Sequence, residues 1–307
     1  MYRTEKLATK LKKNPLQLDP ICIASYSRPD AVLLGALKQN NIFKGSLLFV
    51  RKEEYEIYEK WSDFFKIIKL KGVDNIGDTR RVVVNYCVAH GIDNMYLLDD
   101  DITEVQYLVP MENSKGVEYM KTYSTAHGLK KSIDPIAFMI WQYLINNKCD
   151  KQVVISAPVY RPFSWSSSHK NKSFVYNAAD CIQCVRLNIK LLHDNNINYR
   201  STKLIGPSDY ALQFDCMSNG LKTIQFKDLE YDAQAMGSGS GGCSASEYNI
   251  LFNGDMDKVM QDRYERFMTN VCGYDHPGIR TKITAKTKRI SPAFNWKYWR
   301  SLSNEQS

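Results

Sequence analysis

Short apolar runs alternate with longer amphipathic segments through the first hundred residues of the chain. Strands are predicted at four runs of strand-forming residues, 20–25, 47–50, 65–70 and 96–98. Helices are predicted between them, over 30–40, 53–61 and 77–90, the last closed by Gly91. Strands that alternate with helices through short connections predict an α/β fold of one main domain, with a mostly parallel sheet flanked by helices.

The rest of the chain has a less regular pattern. A polar loop is predicted over 111–125, and further loops rich in polar or small residues over 161–172 and 237–242. Helices are predicted over 132–147, 208–219 and from 247 onward, and strands over 152–156 and 222–226. The segment 181–192 mixes strand and helix signals, and both interpretations remain open.

The fourth apolar run ends in three consecutive carboxylates, Asp99, Asp100 and Asp101. Asp is unfavourable in strands, so the strand is predicted to end here, at the edge where open α/β sheets bind ligands. Side chains alternate along a strand, so Asp99 and Asp101 are expected to point the same way, with nothing basic beside them. Such a pair requires a cation, and Mg²⁺ or Mn²⁺ shared with substrate phosphates fits oxygen ligands.

The same acids have a second interpretation. The sequence Asp-Ile-Thr-Glu at 101–104 fits a capping box at the start of a helix. A cap accounts for one acid, or two with the helix dipole, but not for three in a row after a buried strand. A metal–diphosphate site is therefore favoured, and the two interpretations are compatible.

The chain of 307 residues carries a formal net charge of +8. This charge favours polyanionic partners such as nucleic acid, or phosphorylated ligands, although a basic enzyme without such a partner is also compatible with it. The basic segment 282–289 supplies three candidate DNA contacts, Lys286, Lys288 and Arg289. A solvated surface segment is the alternative interpretation.

The eight cysteines include several in apolar segments, which indicates buried, reduced thiols. Cys181 and Cys184 form a lone CxxC without a second pair at zinc spacing, so no metal or redox role is predicted for them. The sequence opens with no signal-peptide pattern and has no apolar run of about 18 residues. We therefore expect a cytoplasmic protein without a membrane partner.

Several motifs, taken in order, resemble a known family. The first strand ends in Ser-Tyr-Ser-Arg-Pro at 25–29, a later helix contains Arg80, and the acid-tipped strand follows. A Ser-Asp pair at 208–209 and a Gly-Gly-Cys loop come after it. Over about 19–230 the chain resembles the A-type glycosyltransferases, whose acidic DxD motif holds a divalent metal against a nucleotide-sugar diphosphate. Among them it looks most like the TET-associated glycosyltransferases of bacteriophages, which modify hydroxymethylated pyrimidines in DNA.

The resemblance implies a Rossmann-type sheet and a role for each matching residue. The nucleotide sugar would be bound by Ser25, Tyr26, Arg28, Arg80, Asp99 and Asp100. Asp101 and Asp99 would hold Mn²⁺ or Mg²⁺, with Asp232 or His276 as a third ligand. Asp209 would be the general base, although many relatives have two acids there and this chain has one. Gly241 and Gly242 would belong to a phosphate-binding lid, for which a plain linker is the alternative.

Each match also has a purely structural interpretation. Arg28 and Pro29 fit a turn, Arg80 and Arg81 fit solvated helix positions, and Asp209 fits the first turn of a helix. Phe163 and Trp165 fit either the core or a platform for an extruded base. These alternatives remain open at this stage.

The resemblance divides the chain into three parts: a basic arm or helix at 1–18, a catalytic domain at 19–230, and a lid with a helical, basic extension at 231–307. The catalytic part would have a nucleotide-sugar half, 19–110, and an acceptor half, 150–230. The implied function is transfer of a hexose or pentose from a UDP-sugar to a hydroxyl group, above all that of 5-hydroxymethylcytosine in phage DNA, in the host cytoplasm.

Three other functions remain open. The acceptor could be a protein, a lipid or a glycan. A sugar-phosphate nucleotidyltransferase would share the architecture, but usually carries a glycine-rich signature after the first strand, where this chain has Ser25 to Arg28 without glycine. A non-catalytic DNA-binding module would explain the charge but not the three acids.

Overall fold

The computed structural model describes residues 3–116, 118–130, 132–163, 174–177, 181–200, 208–234, 252–253, 255–285 and 288–304. A mixed sheet is formed by β1 Ile21–Ser25, β2 Leu47–Arg51, β3 Lys66–Leu70, β4 Asn94–Asp99, β5 Ile102–Glu112, β6 Glu118–Thr122, β7 Val153–Tyr160, β8 Phe174–Tyr176, β9 Cys184–Asn188 and β10 Lys222–Ala233. Its order is β3-β2-β1-β4-β9-β7-β10-β5-β6, with β8 beside β10. Most of these strands run in one direction; β5, β8 and β9 run the other way.

Helices cover both faces of the sheet. They are α1 Arg3–Lys13, α2 Val32–Lys38, α3 Tyr55–Tyr58, α4 Ile76–Ala89, α5 Tyr123–Ala126, α6 Pro135–Lys148, α7 Ile189–Asp194, α8 Ser208–Ser218, α9 Met256–Phe267 and α10 Trp296–Asn304. The predicted α/β fold, a mostly parallel sheet flanked by helices, is confirmed. In the described part of the chain, no helix combines the length and the apolar character that crossing a membrane requires.

The first strand shows why its apolar run is continuous. Ile21 and Ile23 pack into the cluster under α1, α2 and α6, whereas Cys22 packs into the cluster under α4, α7 and α8. A strand between two helical layers buries both of its faces, so alternation disappears from the sequence. The parallel pairing of β1 with β2 and with β4 brings the carboxyl ends of these strands to one edge.

A smaller third cluster joins the C-terminal elements to α8. Two further strands, β11 Ile279–Ile283 and β12 Ile290–Phe294, form a separate antiparallel ribbon. Phe214 of α8 packs there with Phe267 of α9 and Trp299 of α10. A Cβ on Gly278 would lie 2.5 Å from the Trp299 ring, so only glycine fits at this close approach.

Several predicted elements differ from the observed ones. The predicted loop over 111–125 instead contains the end of β5, the strand β6 and the short helix α5. β6 is an edge strand, and its partly exposed residues show no apolar alternation. The predicted helix over 53–61 is broken into short turns around α3. The ambiguous segment 181–192 contains β9 and then α7, whose start is capped by Asn188.

Candidate functional site

The acid-tipped strand ends where the sequence predicts. β4 stops at Asp99, and Asp100 and Asp101 form a turn that leads directly into β5. The capping-box interpretation is wrong, because the residues after Asp101 form a strand and not a helix. Strand alternation therefore governs Asp99 alone, and the turn sets the directions of the other two side chains.

The expectation that nothing basic lies beside the acids is also wrong. Arg80 donates from Nη2 to both carboxylate oxygens of Asp99, at 2.8 Å each. Its Nη1 donates to Asp209 Oδ2 at 2.6 Å and to the Ser208 hydroxyl at 3.0 Å. Arg80 is only 3% exposed, so it is not a solvated helix residue. One guanidinium thus lies between the strand-end acid and the acid at the start of α8.

The first turn of α4 is built to place Arg80 there. The side chain of Asn75 caps the helix by accepting from the Asp78 N–H at 3.0 Å. A Cβ on Gly77 would lie 2.8 Å from the carbonyl oxygen of Arg200, so glycine allows the start of α4 to approach the backbone at Arg200. The buried Nε of Arg80 has no hydrogen-bond partner among the described residues.

Asp100 faces the first strand instead. The Ser25 hydroxyl donates to Asp100 Oδ2 at 2.6 Å, and Arg28 Nη1 donates to Oδ1 at 2.8 Å. The Tyr58 hydroxyl lies 2.8 Å from Ser25 Oγ and accepts from the Arg28 N–H at 2.9 Å. Burial raises the pKa of Tyr58 to about 12, so it remains protonated. Arg28 thus makes a buried contact in addition to forming a turn.

Asp101 is the acid without a close partner. Its Oδ1 atom is buried and accepts no hydrogen bond from the described residues, and Arg28 Nη1 is 3.9 Å from Oδ2. Burial, followed by repulsion from Asp99 and Asp100, raises the pKa of Asp101 to about 7. A buried carboxylate without partners is costly unless a cation or a proton compensates it.

Asp209 is strongly perturbed as well. Burial raises its pKa to about 6, while the neighbouring Arg80 favours the ionised form and opposes the shift. Its position in the first turn of α8 also gives it the favourable helix-dipole environment that the structural interpretation invoked. A carboxyl group that titrates near neutral pH is suited to accept a proton.

The charges of this group do not balance. Asp99, Asp100, Asp101 and Asp209 form ion pairs with two guanidinium groups, those of Arg28 and Arg80. The charge of Arg263 also favours the ionised form of Asp209. The carboxylates still outnumber the guanidinium groups; a cation would compensate the excess, and the buried Oδ1 atom of Asp101, which has no hydrogen-bond partner among the described residues, could bind it.

The donor set fits an open Mg²⁺ or Mn²⁺ site better than a closed protein cage. The described residues contain no group of three or more His, Cys, Asp or Glu side chains placed to bind one metal ion. Mg²⁺ is commonly held by one or two carboxylates together with substrate phosphates. Asp101 meets this requirement, whereas both oxygens of Asp99 already accept from Arg80.

Neither candidate third ligand joins this group. Asp232 accepts from Arg161 Nη1 at 2.6 Å, and Arg161 also binds Glu104 and Glu230. The end of β10 is nevertheless close, because the Gln234 N–H donates to the Asp101 carbonyl at 2.9 Å. His276 stacks on Trp299 in the C-terminal cluster, with ring centroids 5.6 Å apart.

Two contacting residues carry no clear signal in the sequence. Tyr58 lies in a predicted helix, and only its position in the fold brings its hydroxyl to Ser25 and Arg28. Arg51, at the end of β2, stacks over the ring of Tyr26 with its guanidinium carbon 3.8 Å from the centroid. A basic residue at the carboxyl end of a predicted parallel strand is the one feature that could have identified Arg51.

Some predicted positions fall outside the described residues, and others lie away from the site. Gly241, Gly242, Lys286 and Trp165 fall outside the described residues, and the Phe163 side chain does as well. Lys288 and Arg289 lie in the C-terminal ribbon, between β11 and β12. Arg289 donates to Asp257 of α9 at 2.8 Å.

Comparisons with known proteins give limited likenesses. No protein-family model matches the sequence, and a search of curated proteins finds no match. One similar solved structure is described as GalNAc-T7 with UDP, GalNAc and Mn²⁺; it is 10% identical, with a TM-score of 0.43, over 72% of this chain and 44% of that chain. The chain thus spans less than half the length of that protein.

A second similar structure is CMP:2-keto-3-deoxy-manno-octonic acid synthetase complexed with CTP. It is 8% identical, with a TM-score of 0.39, over 70% of this chain and 90% of that chain. At these TM-scores neither likeness assigns an activity to this chain.

Proposed function

We propose that this protein is a metal-dependent glycosyltransferase of the A type, which moves a sugar from a UDP-sugar to a hydroxyl acceptor. The observation that carries the proposal is the buried Oδ1 atom of Asp101, just beyond the carboxyl end of β4, which has no hydrogen-bond partner among the described residues. A site in which carboxylates outnumber guanidinium groups, at the edge where α/β sheets bind ligands, would suit a divalent ion shared with a diphosphate.

The residues around Asp101 would have separate roles in binding the metal ion and the nucleotide. A bound Mn²⁺ or Mg²⁺ ion supplies Lewis-acid neutralisation of the charge that grows on the departing diphosphate. Ser25 and Arg28 hold Asp100, and with it the turn that carries Asp101. Tyr26 and Arg51 form a stacked pair at the ends of β1 and β2, where the nucleotide would lie.

Asp209 would accept the proton of the acceptor hydroxyl through a carboxylate oxygen. Its raised pKa makes it a stronger base than an ordinary aspartate, and Arg80 fixes its orientation relative to Asp99. The acceptor would therefore bind between the carboxyl end of β4 and the start of α8, since a general base must reach the proton it removes.

The acceptor that we propose is the hydroxymethyl group of a modified pyrimidine, above all 5-hydroxymethylcytosine, in phage DNA. The order of the motifs at 25–29, 80, 99–101 and 208–209 supports this choice through its resemblance to the phage enzymes. The net charge of +8 is compatible with a polyanionic acceptor. The lid function of Gly241 and Gly242 remains part of this proposal.

A transfer assay tests the proposal. The protein is incubated with Mn²⁺, a panel of UDP-, GDP- and dTDP-sugars, and a duplex that contains 5-hydroxymethylcytosine, with the same duplex containing cytosine as a control. We expect a mass gain of one sugar per modified base with a UDP-sugar, and no gain on the cytosine duplex. Absence of gain with every donor would reject the DNA acceptor, and absence of any release of nucleoside diphosphate would reject glycosyl transfer altogether.

A further inference from the structure

The net positive charge of the chain is concentrated near its C-terminal end. Residues 279–304 contain seven basic side chains and no Asp or Glu. Taking these seven from the 41 Lys and Arg residues leaves 34 against 33 acidic residues, so the rest of the chain is almost neutral. The seven are Arg280, Lys282, Lys286, Lys288, Arg289, Lys297 and Arg300. This one segment therefore carries a charge nearly equal to the net charge of the whole chain.

The fold turns this segment into an exposed surface. In the β11–β12 ribbon, Ile279 pairs with Phe294, and both are buried against the C-terminal cluster. Side chains alternate along each strand, so the opposite face of the ribbon carries Arg280 and Lys282. Both side chains are exposed, and their cross-strand partners are the small residues Ala293 and Ser291.

The helix that follows the ribbon also has a buried aromatic side chain and exposed basic side chains. Trp299 of α10 is buried, whereas Lys297 and Arg300 are exposed and lie three residues apart on the helix. We call β11, β12 and α10, together with Arg289 directly before β12, the basic module.

The cations of the basic module differ in their pairing. Arg289 donates to Asp257 at 2.8 Å and is thus engaged within the protein. The described residues place no carboxylate within 4.0 Å of the basic groups of Arg280, Lys282 or Lys297. Exposed like charges without acidic neighbours repel one another, and an external polyanion would relieve that repulsion.

We propose that the basic module binds the phosphodiester backbone of duplex DNA, chiefly through Arg280, Lys282 and Lys297. A two-stranded ribbon fits the major groove of B-form DNA, and Lys and Arg side chains on it reach the phosphates. The proposal rests on the proposed function only for the choice of DNA as partner. Binding itself requires no sugar donor and no metal ion.

Fluorescence anisotropy with a labelled, unmodified 20-base-pair duplex tests this surface without donor or metal. The test variant is Arg280→Ser/Lys282→Ser. The matched control is Lys38→Ser/Lys190→Ser, which lowers the net charge equally at two exposed lysines elsewhere. We expect the test variant to lose about tenfold or more in affinity, with a salt slope lower by about two, because each Lys or Arg on a phosphate contributes roughly one to that slope. The control should change affinity by less than about twofold.

Several outcomes would overturn the proposal: equal losses in the two variants, no binding by the unsubstituted protein, or tighter binding to phosphatidylserine vesicles than to the duplex. An A-form RNA duplex has a deep, narrow major groove, so tighter binding to RNA than to DNA would also contradict it. Because donor and metal are absent, a failed transfer assay leaves this result intact, and a failed binding assay leaves the metal site intact. Circular dichroism of both variants verifies that they remain folded.

Discussion

The carboxyl end of β4 and the basic module differ in the sign and the burial of their unbalanced charges. At β4 the charged groups are largely buried, acids outnumber guanidinium groups, and Asp101 Oδ1 has no partner among the described residues. In the basic module the charged groups are exposed, and no acid lies between 279 and 304. Both regions carry uncompensated charge of opposite sign.

The difference indicates what each region can bind. A buried negative excess within a few ångströms is relieved by a small ion of high charge, since the low dielectric strengthens short-range attraction. An exposed positive excess spread over a ribbon and a helix is relieved by an extended polyanion, mostly through release of counterions. This contrast underlies the two proposals, a metal–diphosphate at the end of β4 and a nucleic acid at the basic module.

Asp209→Asn should have the largest effect, a loss of sugar transfer at the end of β4. The asparagine retains the shape but cannot accept the proton, so we expect transfer to fall by about 10²–10⁴-fold. The thermal shift caused by UDP and Mn²⁺ should remain, because Asp209 is not proposed to bind either. A variant that keeps full transfer would remove Asp209 from its role as base.

Arg80→Met should remove the guanidinium that compensates the charges of Asp99 and Asp209. It leaves Asp99 and Asp209 buried without their shared guanidinium, which we expect to cost about 3–5 kcal/mol in the free energy of unfolding. Arg81→Met is the matched control, since the Arg81 side chain is 42% exposed and makes one long contact at 3.4 Å with Asp78. Urea denaturation measures both variants, and similar losses would contradict a special role for Arg80.

The pH dependence of transfer should sharpen the assignment of the base. Burial raises the pKa of Asp209 to about 6, and a general base acts in its deprotonated form. Activity is therefore expected to rise with pH through about 6 and to be lost below it. An acidic limb near 4, the range of an ordinary aspartate, would contradict this environment.

Arg289→Ser should have the smallest effect on stability. Its ion pair with Asp257 is exposed, and such pairs contribute about 0.2–1 kcal/mol. Urea denaturation of this variant should give a loss within that range. A loss several times larger would show that the basic module depends on this pair for its folding.

The sequence predicted the local features of the site and missed the long-range ones. The end of β4 was predictable because an apolar run and the acids that stop it are adjacent in the chain. The bond between Arg80 and Asp209 joins residues 129 positions apart, and no spacing rule connects them. For the same reason Tyr58 was not predicted, because its hydroxyl contacts Ser25, which lies 33 positions away in the chain.

The edge of the sheet shows a different limit. β6 lies at the end of the strand order, has a neighbouring strand on one side only, and keeps several of its residues partly exposed. Its polar sequence therefore predicted a loop. The basic module was predictable as a charged segment, but its division into the engaged Arg289 and the exposed Arg280 required the fold.

The most direct test of the central claim is the response of Asp101→Asn to Mn²⁺ and UDP. Without ligand, this variant should be as stable as the unsubstituted protein or more so, because it removes a charge from a carboxylate whose buried Oδ1 atom has no partner among the described residues. Ligand at about 100 times its dissociation constant stabilises a protein by about 2.7 kcal/mol, so the unsubstituted protein should show a clear rise in melting temperature when both Mn²⁺ and UDP are present. The account predicts no such rise for Asp101→Asn, and an equal rise in the two proteins would contradict it.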